Sequence, residues 1–433
     1  MAPSPFMSAL LDGPPASVSG TAWFDRLRAQ ALERANSVPL PTTREEEWRF
    51  TDLAPLTRLS FHPAADAVDI DAEAAHGLLF PEAHARLVFV DGVLSIGLSK
   101  LPASAGLHVL DLRQALSEHA SVLERHLGQS ITNESSVFAA LNTAFLRHAA
   151  VVVVDPGCEV SAPVHVLHVA TRREQAHAVY PRTLLVAGKA SRCSLIEDFV
   201  ALGEATYFSA PVSEIVLDAD ACVSHARLQR EAADAFQLGS CSVKQAAGSR
   251  YELVNVALGA RLSRLDIAVR HDGQGCDTTM AGLALIDRRQ LADTHSSVDH
   301  AHAQGKLRQL YKCVVGGAAH AVFNGKILVR EGAQQTDAGQ SCRGLLLSDR
   351  ARIDAKPQLE IFADDVKCAH GAAIGQLDPD ETFYLQSRGL SNERARNLLT
   401  YAFAAEIIER VPVATLRSAL AKIVLERTQE SAG

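Results

Sequence analysis

No Cys-x-x-Cys pair occurs in the 433 residues, although there are eight cysteines, Cys158, Cys193, Cys222, Cys241, Cys276, Cys313, Cys342 and Cys368. That spacing argues against a zinc ribbon or a thioredoxin-like dithiol. A disulfide framework does not suit so long a chain without a secretory leader, so free thiols and a reducing, cytoplasmic setting are expected. The first 20 residues have no basic stretch followed by an apolar run, and no arginine, so no signal or transit peptide is read there. No window of 18 apolar residues exists, and no membrane span is expected. Net charge is −8, leaving no basic excess to displace counterions from a nucleic acid. The phosphate cradle of a Walker A loop is missing: Gly325-Lys326 is followed by Ile327, and His320 stands where its first glycine belongs. G-x-G-x-x-G, H-E-x-x-H and G-x-S-x-G are absent too. Any use of ATP must therefore come from another chain.

What is present is apolar and rich in short strands. The chain is 47% hydrophobic, enough for a large core and two or three domains. Residues 1–20, rich in Pro, Ser, Ala and Gly, are expected to be disordered. Trp23 to Ala35 reads as an amphipathic helix with Trp23, Leu27 and Ala31 on one stripe. Arg86 to Gly92 reads as a strand ended by an Asp-Gly turn, and Leu110 to Arg147 as helical. From Ala149 to Val366 short Val/Ile/Leu runs follow one another with almost no helix between them. That pattern excludes Rossmann and TIM architectures and leaves a sandwich, a propeller or a β-helix. Small-residue turns such as Leu185 to Gly188 and Leu217 to Asp220 suit the corners of a coiling solenoid, although strict repeats are absent. The tail is helical. Asp378-Pro-Asp-Glu381 is a helix start, Ser391 begins a second helix carrying Leu398, Leu399, Phe403 and Ile407, and a third carries Leu416, Leu420, Ile423 and Val424.

The chemistry concentrates in Lys356 to Gly375. Cys368 and His370 lie two apart in what reads as a strand, so a thiol and an imidazole share one face. Cys368 alone would be a small buried apolar residue. With His370 beside it the pair becomes a candidate for a transition metal. Two ligands leave zinc or an iron–sulfur iron incomplete, which points to an interface that supplies the rest. Asp364 and Asp365 could form an acid–base pair, but a turn in which Asp bonds its own backbone is the favoured reading. His295, His300 and His302 form a loose cluster, better explained by a polar outer strand face or a hydrogen-bonded turn.

Three segments resemble one family. Arg44 to Leu53 (REEEWRFTDL), Ala321 to Asp378, with its KPQLEIFADDVKCAHGAAIG, and Phe383 to Ile408 are similar to the SufB/SufD iron–sulfur cluster assembly proteins. Cys368-Ala-His370 matches the SufD branch, while Gly339, Ser341 and Cys342 depart from the Asn-rich run of other members. The resemblance implies a mainly β chain: a right-handed parallel β-helix over 148–377, flanked by a mostly helical 1–147 and a helical 378–433. It implies a scaffold rather than an enzyme, pairing with a SufB-like paralogue and with a SufC-like ATPase that docks on the C-terminal helices, through Leu398, Leu399, Phe403 and Ile407. A transient iron or Fe–S cluster at the paralogue interface would involve Cys368 and His370. Two alternatives remain open, a homodimeric scaffold and a β-helix carbohydrate-active enzyme.

Overall fold

The computed structural model describes residues 5–11, 21–64, 68–129 and 136–430. Strands that alternate in sequence belong to different sheets. Leu291–His300 pairs in parallel with His320–Val329, while Lys306–Val315, between them in sequence, pairs in parallel with Asp337–Leu346 on the other side. Repeated from Ala150–Val154 to Lys367–Gln376, this alternation winds the chain into a parallel β-solenoid of about eight coils. Sandwiches and propellers, being antiparallel, are excluded by that pairing. Inward-facing residues alternate along each strand and fill the lumen, among them Leu185, Ile215, Val243, Leu253, Ile267, Phe323 and Ile327.

The repeat that residue identity hides lies in the backbone. At one corner Gly157, Ala190, Asp220, Gly248, Gly275, Gln304 and Gln335 all have positive φ, recurring at roughly 30 residues per coil. Each donates its N–H to the residue that precedes its counterpart one coil on, for example Gly157 to Lys189, Ala190 to Ala219 and Gln304 to Gln334, at 2.8 Å in all three cases. The predicted corners near Gly188 and Asp220 belong to this column. Only some positions carry the glycine that a left-handed turn favours, so the period escapes a search for repeated letters.

The two ends of the solenoid differ. At the first, Leu107–Asp111 lies antiparallel to Ala150–Val154 and closes one sheet. Ala85–Val90 extends the other sheet and folds back through Asp91-Gly92 on to antiparallel Val93–Leu94. At the far end Arg352–Ile361 and Lys367–Gln376 each pair on one side only, with His320–Val329 and Asp337–Leu346 respectively.

The flanking segments pack on the solenoid. The helix Ala22–Ser37 buries Phe24, Arg28, Ala31 and Ala35, with the expected Trp23 and Leu27 half-buried beside them, and the Arg28 Nε donates to the Ala144 carbonyl at 3.2 Å. Leu112–Glu118, Ala120–His126 and Val137–Ala144 take the place of the continuous helical stretch read over Leu110 to Arg147. The disorder expected for residues 1–20 falls largely outside the described residues. Within them it is corrected: Pro5–Leu10 is a helix that buries Phe6, Met7 and Leu10, with Phe6 edge-on to Phe61 and Phe208. No described helix is long and apolar enough to cross a membrane.

Candidate functional site

Cys368 and His370 both lie on Lys367–Gln376, the last strand of its sheet, opposite Ala338 and Gln340. Ala338, Gln340 and Cys342 are buried lumen residues. By register, Cys368, His370 and Ala372 continue those rows, but no further coil covers them. Cys368 is half-buried against the lumen cluster, whereas His370 and Ala372 are exposed. Burial holds the Cys368 thiol above its ordinary value, so it stays protonated until a metal or cationic group arrives. His370 lines a cavity of about 340 Å³ with Arg308, Gln309, Gln340, Ser341 and Arg410. Around this end Ile361, Phe362 and Ile374 are exposed, Phe362 by 64%. Two bare strand edges rimmed by exposed apolar side chains form a surface ready to pair with another β edge. A thiol and an imidazole on its rim suit iron, with vacant positions for ligands from elsewhere. Among the described residues no group of three or more His, Cys, Asp or Glu is placed to hold a metal ion.

The tail residues separate. Ile407 is fully buried and, with Ile408, Val411, Leu416, Leu420 and Val424, covers the outer face of one sheet over Val254, Val256, Leu283 and Val314. Phe403 is half-buried beneath the Lys312 ammonium, which lies 4.4 Å from its ring centre, donates to the Phe403 carbonyl at 2.7 Å and reaches Glu406 at 2.6 Å. Of the four stripe residues, Leu399 is half-buried and Leu398 is exposed. The other exposed large apolar groups of the tail are Phe383, 71% open, Tyr384 and Leu425. The wide stripe thus serves the chain's own core along its second half, and its outward part is Leu398 beside the helix Pro379–Ser387.

The three histidines of 295–302 do not converge. His302 is exposed. His300 is buried edge-on to His271, their ring centres 4.4 Å apart. His295 stands on an outer strand face, as the favoured reading has it, and ties down the Glu-Glu-Glu-Trp segment. Its Nδ1 faces Glu47 at 3.2 Å and its Nε2 faces Asp293 at 3.0 Å. Burial would lower this histidine, but Asp293 and Glu47 outweigh it and hold it at about 9. Arg264 completes the clamp, donating to the Glu47 carbonyl at 2.7 Å and to Asp293 at 2.9 Å, with its guanidinium 3.9 Å from the Trp48 ring centre. Nothing in the sequence linked residues 47 and 264. Asp364 and Asp365 occupy a bend at a corner, where the Asp365 backbone N–H donates to Gln334 Oε1 at 2.9 Å.

Comparison with known proteins agrees with this layout. Residues 17–166 match the SufBD protein N-terminal region, and residues 168–403 match the SUF system FeS cluster assembly, SufBD core domain. An iron–sulfur cluster assembly SufBD family protein of Synechocystis is 39% identical, over 95% of this chain and 93% of its own length. The iron–sulfur cluster assembly protein SufD of Escherichia coli is 29% identical over 88% and 87%. SufD of Bacillus subtilis is 26% identical over 93% of each chain.

Proposed function

We propose, because this chain belongs to the SufB/SufD family of iron–sulfur cluster assembly proteins and within it is SufD-like, that it is a scaffold subunit on which clusters are built rather than an enzyme. It pairs through its open solenoid end with a SufB-like paralogue. A SufC-like ATPase docks on the outward part of the C-terminal helices, around Phe383, Tyr384 and Leu398. The nascent cluster is the cargo, held in passing by Cys368 and His370 together with ligands from the paralogue. ATP hydrolysis belongs to the docked subunit.

The observation that carries this reading is the uncapped end. A solenoid terminus left bare is a solubility hazard that a terminal cap ordinarily removes. Here the opposite end is capped, and the bare one bears the soft ligands. The self-paired homodimer would use the same edges, and the test must tell the two apart.

Co-expression with a SufB-like and a SufC-like chain, followed by light scattering and reconstitution with iron and sulfide, provides that test. His370→Ala is expected to fold and co-purify normally, yet to lose the visible absorption of the cluster. Cys368→Ala is expected to be milder. A His370→Ala complex that builds clusters in full refutes the ligand role, and a homodimer that excludes the paralogue refutes the pairing. ATPase docking is best probed by Phe383→Glu and Leu398→Glu. Truncation would uncover the apolar sheet face under Ile407.

A further inference from the structure

We propose that Gln340 is the positioning residue of His370, an inference that rests on the ligand role given to His370 above. Three polar side chains cross the lumen in sequence. The Gln309 Nε2 donates to Ser296 Oγ at 2.7 Å, and the Gln340 Nε2 donates to Gln309 Oε1 at 2.7 Å. Gln309 and Gln340 are opposed in register, and the position opposite Gln340 on the last strand is His370. The Gln340 amide fits here only because Gly325 lies across the lumen, where a Cβ would sit 2.0 Å from its Nε2.

The ladder has a direction. Each amide gives its N–H to the rung before it, which leaves its own carbonyl for the rung after. Gln340 Oε1, the last of the series, is buried and has no partner among the described residues. It therefore asks for a donor at position 370. A lysine would supply one but ligates no iron while charged, and a cysteine is a poor donor. A neutral imidazole can do both: one ring N–H donates to Gln340 Oε1, and the lone pair of the other nitrogen is left for the metal. Metal-binding histidines are commonly fixed in this way by an acceptor on the second nitrogen, and loss of that acceptor weakens metal binding by about 10–100-fold. Gln340 does not touch the cluster. It selects the tautomer and the ring orientation of the residue that does.

The test reads the tautomer directly, in the full chain labelled with ¹⁵N-histidine, with His370→Asn identifying the resonances. Wild type is expected to show His370 protonated on one ring nitrogen. Gln309→Met, which keeps the Gln340 acceptor, is expected to leave that tautomer in place. Gln309→Met/Gln340→Met, which replaces the ladder by apolar groups of similar size, is expected to give a mixture. Gln340→Asn, which withdraws the acceptor by one methylene, is the second variant should the double one fail to fold. An unchanged tautomer in the double variant or in Gln340→Asn, whichever folds, overturns the proposal, and so does a mixture in the wild type. Failure of the ligand role shows separately, as full cluster assembly by His370→Ala, whatever the tautomer spectra show.

Discussion

Acidification from pH 7 to pH 5 is expected to destabilise this chain through histidines, before the low-lying buried carboxylates matter. Burial pushes His165, His168 and His300 down to about 4, and burial together with His300 pushes His271 down to about 3. His168 illustrates the cause: its ring is stacked between Phe89 and Phe199, with centres 5.1 and 5.0 Å away, and neither nitrogen has a hydrogen-bond partner among the described residues. In the folded chain these rings remain neutral below pH 6.5, whereas in the unfolded chain they take up protons. Stability therefore falls as pH drops from about 6.5 towards 4. At pH 5 each of the four accounts for a loss of roughly 2 kcal/mol, or roughly 8 in all. Glu231 acts in the opposite sense, since burial raises it to about 7, and it returns roughly 2 kcal/mol over the same interval. The net loss of roughly 6 kcal/mol is a large part of a typical folding free energy. Asp91 and Glu197, both held at about 2 by partners that outweigh their burial, lose their contribution only below about pH 4. Urea midpoints at pH 7, 6 and 5 and constant ionic strength measure the effect. His168→Phe, which keeps an aromatic ring in the stack, should remove about a quarter of the histidine term. A midpoint that stays level to pH 5, or a slope untouched by His168→Phe, refutes the reasoning.

The alkaline side is expected to be set by His295, whose contribution is complete below pH 6.5 and lost as pH rises through about 9, costing roughly 3 kcal/mol; His295→Gln should flatten melting temperature against pH over that range. Gly325→Ala should cost about 1–3 kcal/mol by driving Gln340 off Gln309, and Gln340→Ala should relieve most of the clash, as a double-mutant cycle in urea would show. Ala372→Lys, on the exposed row of the last strand, should change monomer stability by no more than about 0.5 kcal/mol yet abolish co-purification with the paralogue. A stable complex carrying that lysine would remove the open end from the interface.

The strand-rich body, the helical tail and the placement of Cys368 and His370 on one strand were legible because each rests on a local signal: short Val/Ile/Leu runs broken by small residues, a capped Asp-Pro-Asp-Glu start, and two residues at i and i+2. The lumen ladder was not legible, since Ser296, Gln309 and Gln340 meet only after two coils have been wound. Arg264 and Glu47 were likewise invisible, being far apart in sequence and joined by side chains whose types suit any surface. The tail misled for a related reason. An apolar stripe shows that a helix face is covered but not by what, and Ile407 turned out to be covered by the chain's own sheet. The corner column escaped because its period is carried by φ, with Ala, Asp and Gln standing where glycine would have advertised it.

The placement of the caps also bears on how the molecule is made. The antiparallel strand Leu107–Asp111 and the hairpin through Asp91-Gly92 leave the ribosome before the coils they close. Each new coil then finds a finished edge to dock on, so the solenoid can grow in the order of synthesis, one rung at a time. The adhesive edge is always the youngest, still close to the ribosome and shielded by it from its neighbours. Lys367–Gln376 is the youngest edge of all, and no later coil among the described residues covers it. A partner that took this edge would supply the next rung of an unfinished growth process, and until then the bare edge is where the chain is most exposed to misassembly.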